Sequence, residues 1–323
     1  MKALLSRLNI DTYIVLLVGM VALASTLPAR GLFANIVSYC ANIGIVMLFF
    51  MHGARLSREA VLNGVKHWRL HAAVGAVTYI IFPIIGIIVS SIHIISPDLA
   101  KGLLFLTLLP STVQSSIAFT AMARGNVAGA VCSASFSNLA GIFITPVLVA
   151  LLITGKQGGV SFDAMQTVVL QLLIPFLVGH FIRPWIGAWV SRQKRLLTII
   201  DRSSILLVVY SAFSAAVVEG IWRRVSAEDM LTMAVASIAM LSFLLMLTRV
   251  IAARLHFDRG DSIVLQFCGS KKSLASGVPM AGVLFPAAQV GAIILPLMLF
   301  HQVQLMVCAV LARRYGSQCE ETK

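Results

Sequence analysis

Charge is the scarcest thing in this chain. Asp, Glu, Lys and Arg make up 11% of its 323 residues, less than half of the roughly one quarter typical of a soluble domain. Carboxylates are rarest, at twelve against 25 lysines and arginines. Cysteine is limited to Cys40, Cys132, Cys268, Cys308 and Cys319, with no Cys-x-x-Cys pair. That argues against a metal site and leaves the thiols as small apolar packing groups. No polar stretch is long enough to bury a core of its own, which excludes a separate soluble domain. What remains is apolar, with 59% hydrophobic residues and a mean hydropathy of +0.94. The chain reads as an all-α membrane protein, one unit over residues 1–323 embedded in the lipid bilayer.

Ten apolar runs are long enough to cross a bilayer: 12–29, 33–51, 70–93, 99–123, 126–154, 164–189, 198–218, 228–252, 261–285 and 289–312. Met1 to Leu27 has a short basic start and an apolar run, and is expected to remain as the first span rather than be cleaved as a signal peptide. Arg55 to Trp68 mixes Leu56, Val61, Val65 and Trp68 with Arg55, Arg58, Lys66 and His67, the pattern of a short helix lying on the membrane surface. With the N-terminus inside, eighteen Lys and Arg fall on the inner side and five (Arg30, Lys101, Lys156, Arg223 and Arg224) on the outer. This bias places both termini in the cytoplasm. The net charge of +13 therefore reports topology. Without aromatics interleaved among the basic residues, no nucleic-acid partner is expected.

Five spans precede Lys156 and five follow Asp163. Repeats over about 1–155 and 160–323 must then be inverted relative to one another, because an odd number of spans starts the second half on the opposite side. Two interruptions occupy corresponding places, each in the fourth span of its half. Span 4 is broken by Leu109-Pro110-Ser111-Thr112-Val113-Gln114-Ser115-Ser116 and span 9 by Gly269-Ser270-Lys271-Lys272-Ser273. Proline lacks an N–H and frees backbone groups. Freed groups at membrane depth are tolerated only inside protein or beside a water-filled cavity. The alternative for span 4 is a proline kink patched by Ser and Thr. The pairing with span 9 favours a binding site built from Pro110, Ser111, Thr112, Gln114, Ser115, Ser116, Gly269, Ser270, Lys271, Lys272 and Ser273.

Two lysines about ten residues into a span lie near the middle of a roughly 30 Å hydrocarbon core. Charges there are costly and need a function. Three roles are open: contact with an anionic substrate, carriage of a proton, or occupation of a former cation site as a fixed charge that holds the crossing helices together. Adjacent helical residues point about 100° apart, so the two lysines are expected to differ in role. All twelve carboxylates fall at span ends, in loops or in tails, which weakens any simple carboxylate-based cation coupling.

In span 5, Gly129, Ser133, Ser137 and Gly141 form a small-residue stripe for close helix packing, while Ser135 and Asn138 are candidate lining residues. The cluster His301-Gln302-Val303-Gln304 in span 10 is read as bonding a neighbouring helix, with a cavity-facing role as the alternative, and His180 is read alike. Pro83, Pro146, Pro175 and Pro296 are read as kinks. No paired carboxylates and no Ser-His or Cys-His spacing support an intramembrane enzyme. No cofactor is expected.

The stretches around both interruptions resemble the bile acid:sodium symporter superfamily. They are Pro110 followed by Ala123-Arg124-Gly125-Asn126-Val127-Ala128 and Thr145-Pro146, and Phe267-Cys268-Gly269-Ser270-Lys271-Lys272-Ser273-Leu274-Ala275. Phe49-Phe50-Met51-His52-Gly53-Ala54, Ile205-Leu206-Leu207-Val208-Val209-Tyr210 and the run Phe300 to Cys308 extend the likeness over essentially the whole chain. The lysine version is similar to a bacterial branch of symporters related to a divergent vertebrate member of solute carrier family 10. The resemblance implies ten helices in a panel (spans 1, 2, 6 and 7) and a core (spans 3–5 and 8–10), with spans 4 and 9 crossing. Alternating access would come from relative movement of the two parts. The implied substrate is an organic anion, either sterol-like or a small carboxylate or sulfate compound.

The resemblance also implies two sodium sites, and here the chain departs from it. The family's glutamate and glutamine on span 9 fall on Gln266 and Ser270, followed directly by Lys271 and Lys272. The span 5 hydroxyl positions fall on Ala130 and Ala134. In span 4 the serine falls on Ser115 or Ser116, and the asparagine on Ser116 or Ile117. A hard cation needs oxygen ligands and usually negative charge. The expectation is a secondary transporter of an organic anion in the bacterial inner membrane, without those sodium sites and with Gln266 lining the crossover. The coupling ion is left between Na⁺ and H⁺. The alternatives are a membrane regulator that keeps the fold without transporting, and a proton-coupled carrier using Lys271 or Lys272.

Overall fold

The computed structural model describes residues 12–55, 67–92, 96–154, 166–167, 169–220, 223 and 225–318. Among these, every regular element is helical. In chain order they are α1 (Thr12–Thr26), α2 (Gly31–Arg55), α3 (Trp68–Ser90), α4 (Pro97–Thr107), α5 (Gln114–Met122), α6 (Val127–Val149), α7 (Ile174–Arg192), α8 (Lys194–Val218), α9 (Ala227–Arg254), α10 (Arg259–Gly269), α11 (Leu274–Leu284) and α12 (Ala287–Gln318). Seven helices among the described residues are long and apolar enough to cross a membrane, and α1 is a shorter apolar helix. The surface helix expected over Arg55 to Trp68 falls largely outside the described residues.

Polarity runs opposite to that of a soluble protein. Helix α9 turns Leu231, Val235, Ile238, Met246 and Val250 outward and buries Met233, Met240, Leu241, Leu244 and Leu245. Both faces are apolar because one faces lipid and the other protein. Meanwhile Ser111, Gln266, Ser270, Lys271, Lys272 and Gln304 are buried. The chain is a multi-pass integral membrane protein.

Two compact units are present. In the first, comprising Met1–Leu56, Val160–Ser226 and Val278–Ile294, α2 packs against α7 and α8, and α8 against α1. Glycines set the closest approach: a Cβ on Gly53 would lie 2.0 Å from the Phe176 carbonyl oxygen, and one on Gly179 would lie 2.0 Å from that of Phe50. Arg55 donates to Asp201 Oδ2 at 2.6 Å and ties α2 to α8. The second unit comprises Ser57–Gly159, Ala227–Gly277 and Leu295–Lys323. There α10 packs against α3, α5, α6 and α9, and α3 packs against α4.

Both interruptions lie within the second unit. Helix α4 ends at Thr107 and α5 starts at Gln114; α10 ends at Gly269 and α11 starts at Leu274. The first break is therefore 108–113, and Gln114, Ser115 and Ser116 form the first turn of α5 rather than part of the irregular chain. The far end of α5 is pinned to α10. Arg124 adopts φ 55°, and Asn126 then caps α6 through Gly129 N–H while donating to Asp261 Oδ1 at 2.8 Å. Asp258 in turn caps α10 by accepting from Asp261 N–H at 2.7 Å.

Candidate functional site

The backbone bonds of the first break can be followed from Leu108 to Ser111, and that accounting builds the site. Leu108 and Leu109 N–H groups bond three residues back, to Phe105 and Leu106 carbonyls. The next donor in that register is Pro110, which has no N–H, so the Thr107 carbonyl stays free. Ser111 N–H turns away to Ser137 Oγ at 2.9 Å. The carbonyls that follow find separate partners: Leu108 accepts from Thr145 Oγ1 at 2.8 Å, Pro110 from Ser273 N–H at 2.9 Å, and Ser111 from Asn138 Nδ2 at 2.7 Å. The carbonyls of Thr107 and Leu109 accept from Lys272 Nζ, both at 2.7 Å.

A third carbonyl comes from α3. Residues Val77–Ile81 form a π-helical turn, and Phe82 N–H bonds to the Val77 carbonyl five residues back. The next bond in that register would run from residue 83 to Thr78, but residue 83 is proline. The freed Thr78 carbonyl accepts from Lys272 Nζ at 2.9 Å. An ammonium has three N–H donors, and all three are used. The Phe82 ring closes the remaining side, with its centroid 4.1 Å from Nζ. Two of the acceptors belong to the C-terminal end of α4, where the helix dipole is negative.

The Lys272 main chain is held as tightly. Its N–H donates to Gln304 Oε1 and its carbonyl accepts from Gln304 Nε2, both at 2.9 Å, and the same carbonyl accepts from Thr112 Oγ1 at 2.8 Å. Gln304 Nε2 also lies 2.7 Å from His301 Nδ1. The span 10 polar cluster thus bonds the irregular backbone of the second break.

Lys271 points elsewhere. Its Nζ donates to Ser115 Oγ at a long 3.3 Å and lies 4.4 Å and 5.6 Å from the ring centroids of Phe119 and Phe267. Among the described residues, one hydroxyl and two aromatic faces leave two of its donors without an acceptor. Neither lysine has a carboxylate in ion-pair range among the described residues. Lys272 is balanced by carbonyl dipoles, whereas Lys271 is the less compensated charge.

The other expected residues divide. Asn138, which donates to the Ser111 carbonyl, also accepts from Ser276 Oγ at 2.7 Å, and Ser273 Oγ bonds Ser276 Oγ at 3.1 Å. These three residues bridge the two breaks. Ser116 Oγ donates to the Phe267 carbonyl at 3.1 Å, and Ser270 Oγ to that of Gln266 at 2.5 Å, so both hydroxyls are occupied locally. The Ser111 hydroxyl is buried without a partner among the described residues. Gln266 has both ends engaged: Nε2 donates to the Leu245 carbonyl at 3.0 Å, and Oε1 accepts from Tyr315 OH at 2.8 Å. Gly269 serves packing, with Val77 Cγ1 3.2 Å from where its Cβ would be. Gln114 is exposed and Ser135 is half-buried, and among the described residues neither hydrogen-bonds a lysine. In the span 5 stripe, Ser133 bonds His71 Nδ1 at 2.7 Å, the Ser137 carbonyl accepts from Tyr79 OH, and a Cβ on Gly141 would lie 2.8 Å from the Pro110 ring.

The sequence profile of the SBF-like CPA transporter family matches residues 11–317. The chain is 52% identical over 315 residues to an uncharacterized protein of Pseudomonas aeruginosa, covering 96% of this chain and 94% of that one. It is 50% identical over 314 residues to the protein named "Putative symporter YfeH" of Escherichia coli, covering 97% and 95%. To the sodium/bile acid cotransporter 7 of Rattus norvegicus it is 27% identical over 321 residues, covering 95% and 93%.

Proposed function

Because the chain belongs to the SBF-like CPA transporter family, a family of transporters and not of enzymes, we propose that it carries an organic anion across the bacterial inner membrane by alternating access, without the sodium sites of the bile-acid carriers. The observation that carries this reading is Lys271: a buried ammonium with, among the described residues, spare donors, aromatic faces around it and no carboxylate beside it. A carboxylate or sulfate group complements it, and a hydrophobic body suits the aromatic faces. The engagement of both ends of Gln266 and the alanines at 130 and 134 support the absence of sodium coupling. Ten spans in two inverted repeats, with both termini cytoplasmic, complete the proposal. They rest on the paired breaks and on the bias of basic residues.

The test is thermal stability of the purified protein against taurocholate, an aryl sulfate and succinate, with and without Na⁺. Ligand binding to the folded state raises the melting temperature by mass action. The expected result is an anion-specific rise that ignores Na⁺ and disappears in Lys271→Ala. A rise that requires Na⁺ would overturn the sodium-free reading. The saturation of Lys272 also favours a second reading, a locked regulator that keeps the fold. Flux of a stabilising anion into liposomes separates the two, since a regulator would bind without transporting.

A further inference from the structure

We propose that the ε-ammonium of Lys272 is a built-in cation: it fills a monovalent-cation site made of the Thr78, Thr107 and Leu109 carbonyls and the Phe82 ring, and that site accepts a free monovalent cation once the side chain is cut back. The cage uses main-chain oxygens at 2.9, 2.7 and 2.7 Å from Nζ, with the ring at 4.1 Å on the open side. Rings of backbone carbonyls replace an ion's hydration shell in this way, and an aromatic face attracts a cation electrostatically.

The oxygens converge for reasons that do not depend on the lysine. Pro83 frees Thr78, Pro110 frees Thr107, and Gln304, Thr112 and Ser273 hold the two breaks against each other. Removing the lysine stem therefore leaves three oriented acceptors facing a space the size of an ammonium. No carboxylate joins them among the described residues, so the site suits one positive charge and not a divalent ion. Potassium, ammonium and methylammonium are close to the native group in size and are the expected occupants; the smaller sodium ion should fit less well.

The consequence for transport rests on the carrier reading above, whereas the cage itself does not. A carrier that must load a free cation couples its cycle to that cation's gradient. One whose cation is covalently attached is always loaded, so the gradient supplies no driving force through this site.

The experiment melts full-length wild type, Lys272→Ala, Lys272→Met and Lys271→Ala in N-methylglucamine chloride, replaced stepwise by methylammonium, potassium or sodium chloride at constant ionic strength. Lys272→Ala should melt below wild type and recover with methylammonium or potassium along a saturable curve. Wild type, Lys271→Ala and Lys272→Met, whose thioether side chain fills the cage without charge, should not respond. If Lys272→Ala is recovered folded only when purified in methylammonium or potassium, that also supports the site. A folded Lys272→Ala with a flat response, a variant that no cation restores, or a saturable potassium effect on wild type would each overturn it. Loss of anion binding and flux in wild type would sink the carrier reading and leave the cage result standing.

Discussion

The Thr78 carbonyl and the Lys272 ammonium are 194 positions apart in the chain and hydrogen-bonded at 2.9 Å. The contact joins the π-turn of α3 to the break between α10 and α11, and it exists because Pro83 withholds the N–H that would otherwise claim that oxygen. Pro110 does the same for Thr107. Two prolines thus prepare the seat of one lysine.

Pro83→Ala tests that relationship. The new N–H competes with Nζ for Thr78, so α3 gains a backbone bond and the lysine loses an acceptor. A hydrogen bond within the protein contributes about 0.5–1.5 kcal/mol net, while leaving a buried donor unsatisfied costs about 1–3 kcal/mol, more for a charged group. The second effect should win, and the variant should melt below wild type in detergent. An unchanged or raised melting temperature would mean that Pro83 does not set the Thr78 carbonyl.

Gln304→Ala removes two of the three bonds that grip the Lys272 main chain. It leaves the Lys272 N–H buried and unpaired, while the carbonyl keeps Thr112. The expected cost is about 1–3 kcal/mol, and anion binding at Lys271 should weaken as the break loosens. Thermal melting and anion titration of one preparation check both effects. A full loss of anion binding at unchanged stability would instead assign Gln304 to the anion contact.

Parts of this site were visible in the sequence because polar side chains stand out in apolar runs. Lys271, Lys272, Pro110 and the Ser-Thr run inside span 4 are such residues, and they stand at or beside the two breaks. The cage was hidden for a physical reason: Thr78, Thr107 and Leu109 contribute main-chain carbonyls, which every residue has, and Phe82 is an apolar residue among apolar residues. Pro83 was legible only as a kink; its place five residues after Thr78 gains meaning once the turn is known to be π-helical. Gln304 was seen, but its partner is irregular backbone, which no helix-face argument identifies. Ser135 and Gln114 are candidates by residue type alone, and among the described residues neither hydrogen-bonds a lysine.

Gly86→Ala probes the contact between α3 and α4 that holds two of the cage carbonyls in register. A Cβ at Gly86 would lie 2.1 Å from Thr107 Oγ1 and 2.8 Å from its Cβ. Overpacking of this kind costs about 1–3 kcal/mol. Thr107→Ala loses only a local bond from Oγ1 to the Leu104 carbonyl, so alone it should cost little. In combination it should recover part of the Gly86→Ala loss, because the nearest clash is with the deleted hydroxyl. Additive losses in the double variant would show that the two helices do not meet here as closely as the geometry states.

Gln266→Glu introduces the carboxylate that the resemblance to the bile acid:sodium symporters implies at this position. In this chain the change should not restore a sodium site. The oxygen that replaces Nε2 would face the Leu245 carbonyl, 3.0 Å from the atom it replaces, and two acceptors there repel. The span 5 positions at which the resemblance implies hydroxyls are Ala130 and Ala134, both fully buried and without oxygen side chains. Tyr315 OH still donates to the other oxygen, but one donor does not compensate a buried carboxylate. The variant should therefore melt several degrees below wild type and respond identically to sodium and potassium at constant ionic strength. A saturable stabilisation by sodium alone would mean that the remaining oxygens of Ser116 and Ser270 suffice to hold the ion, and the sodium-free reading of this carrier would fall with it.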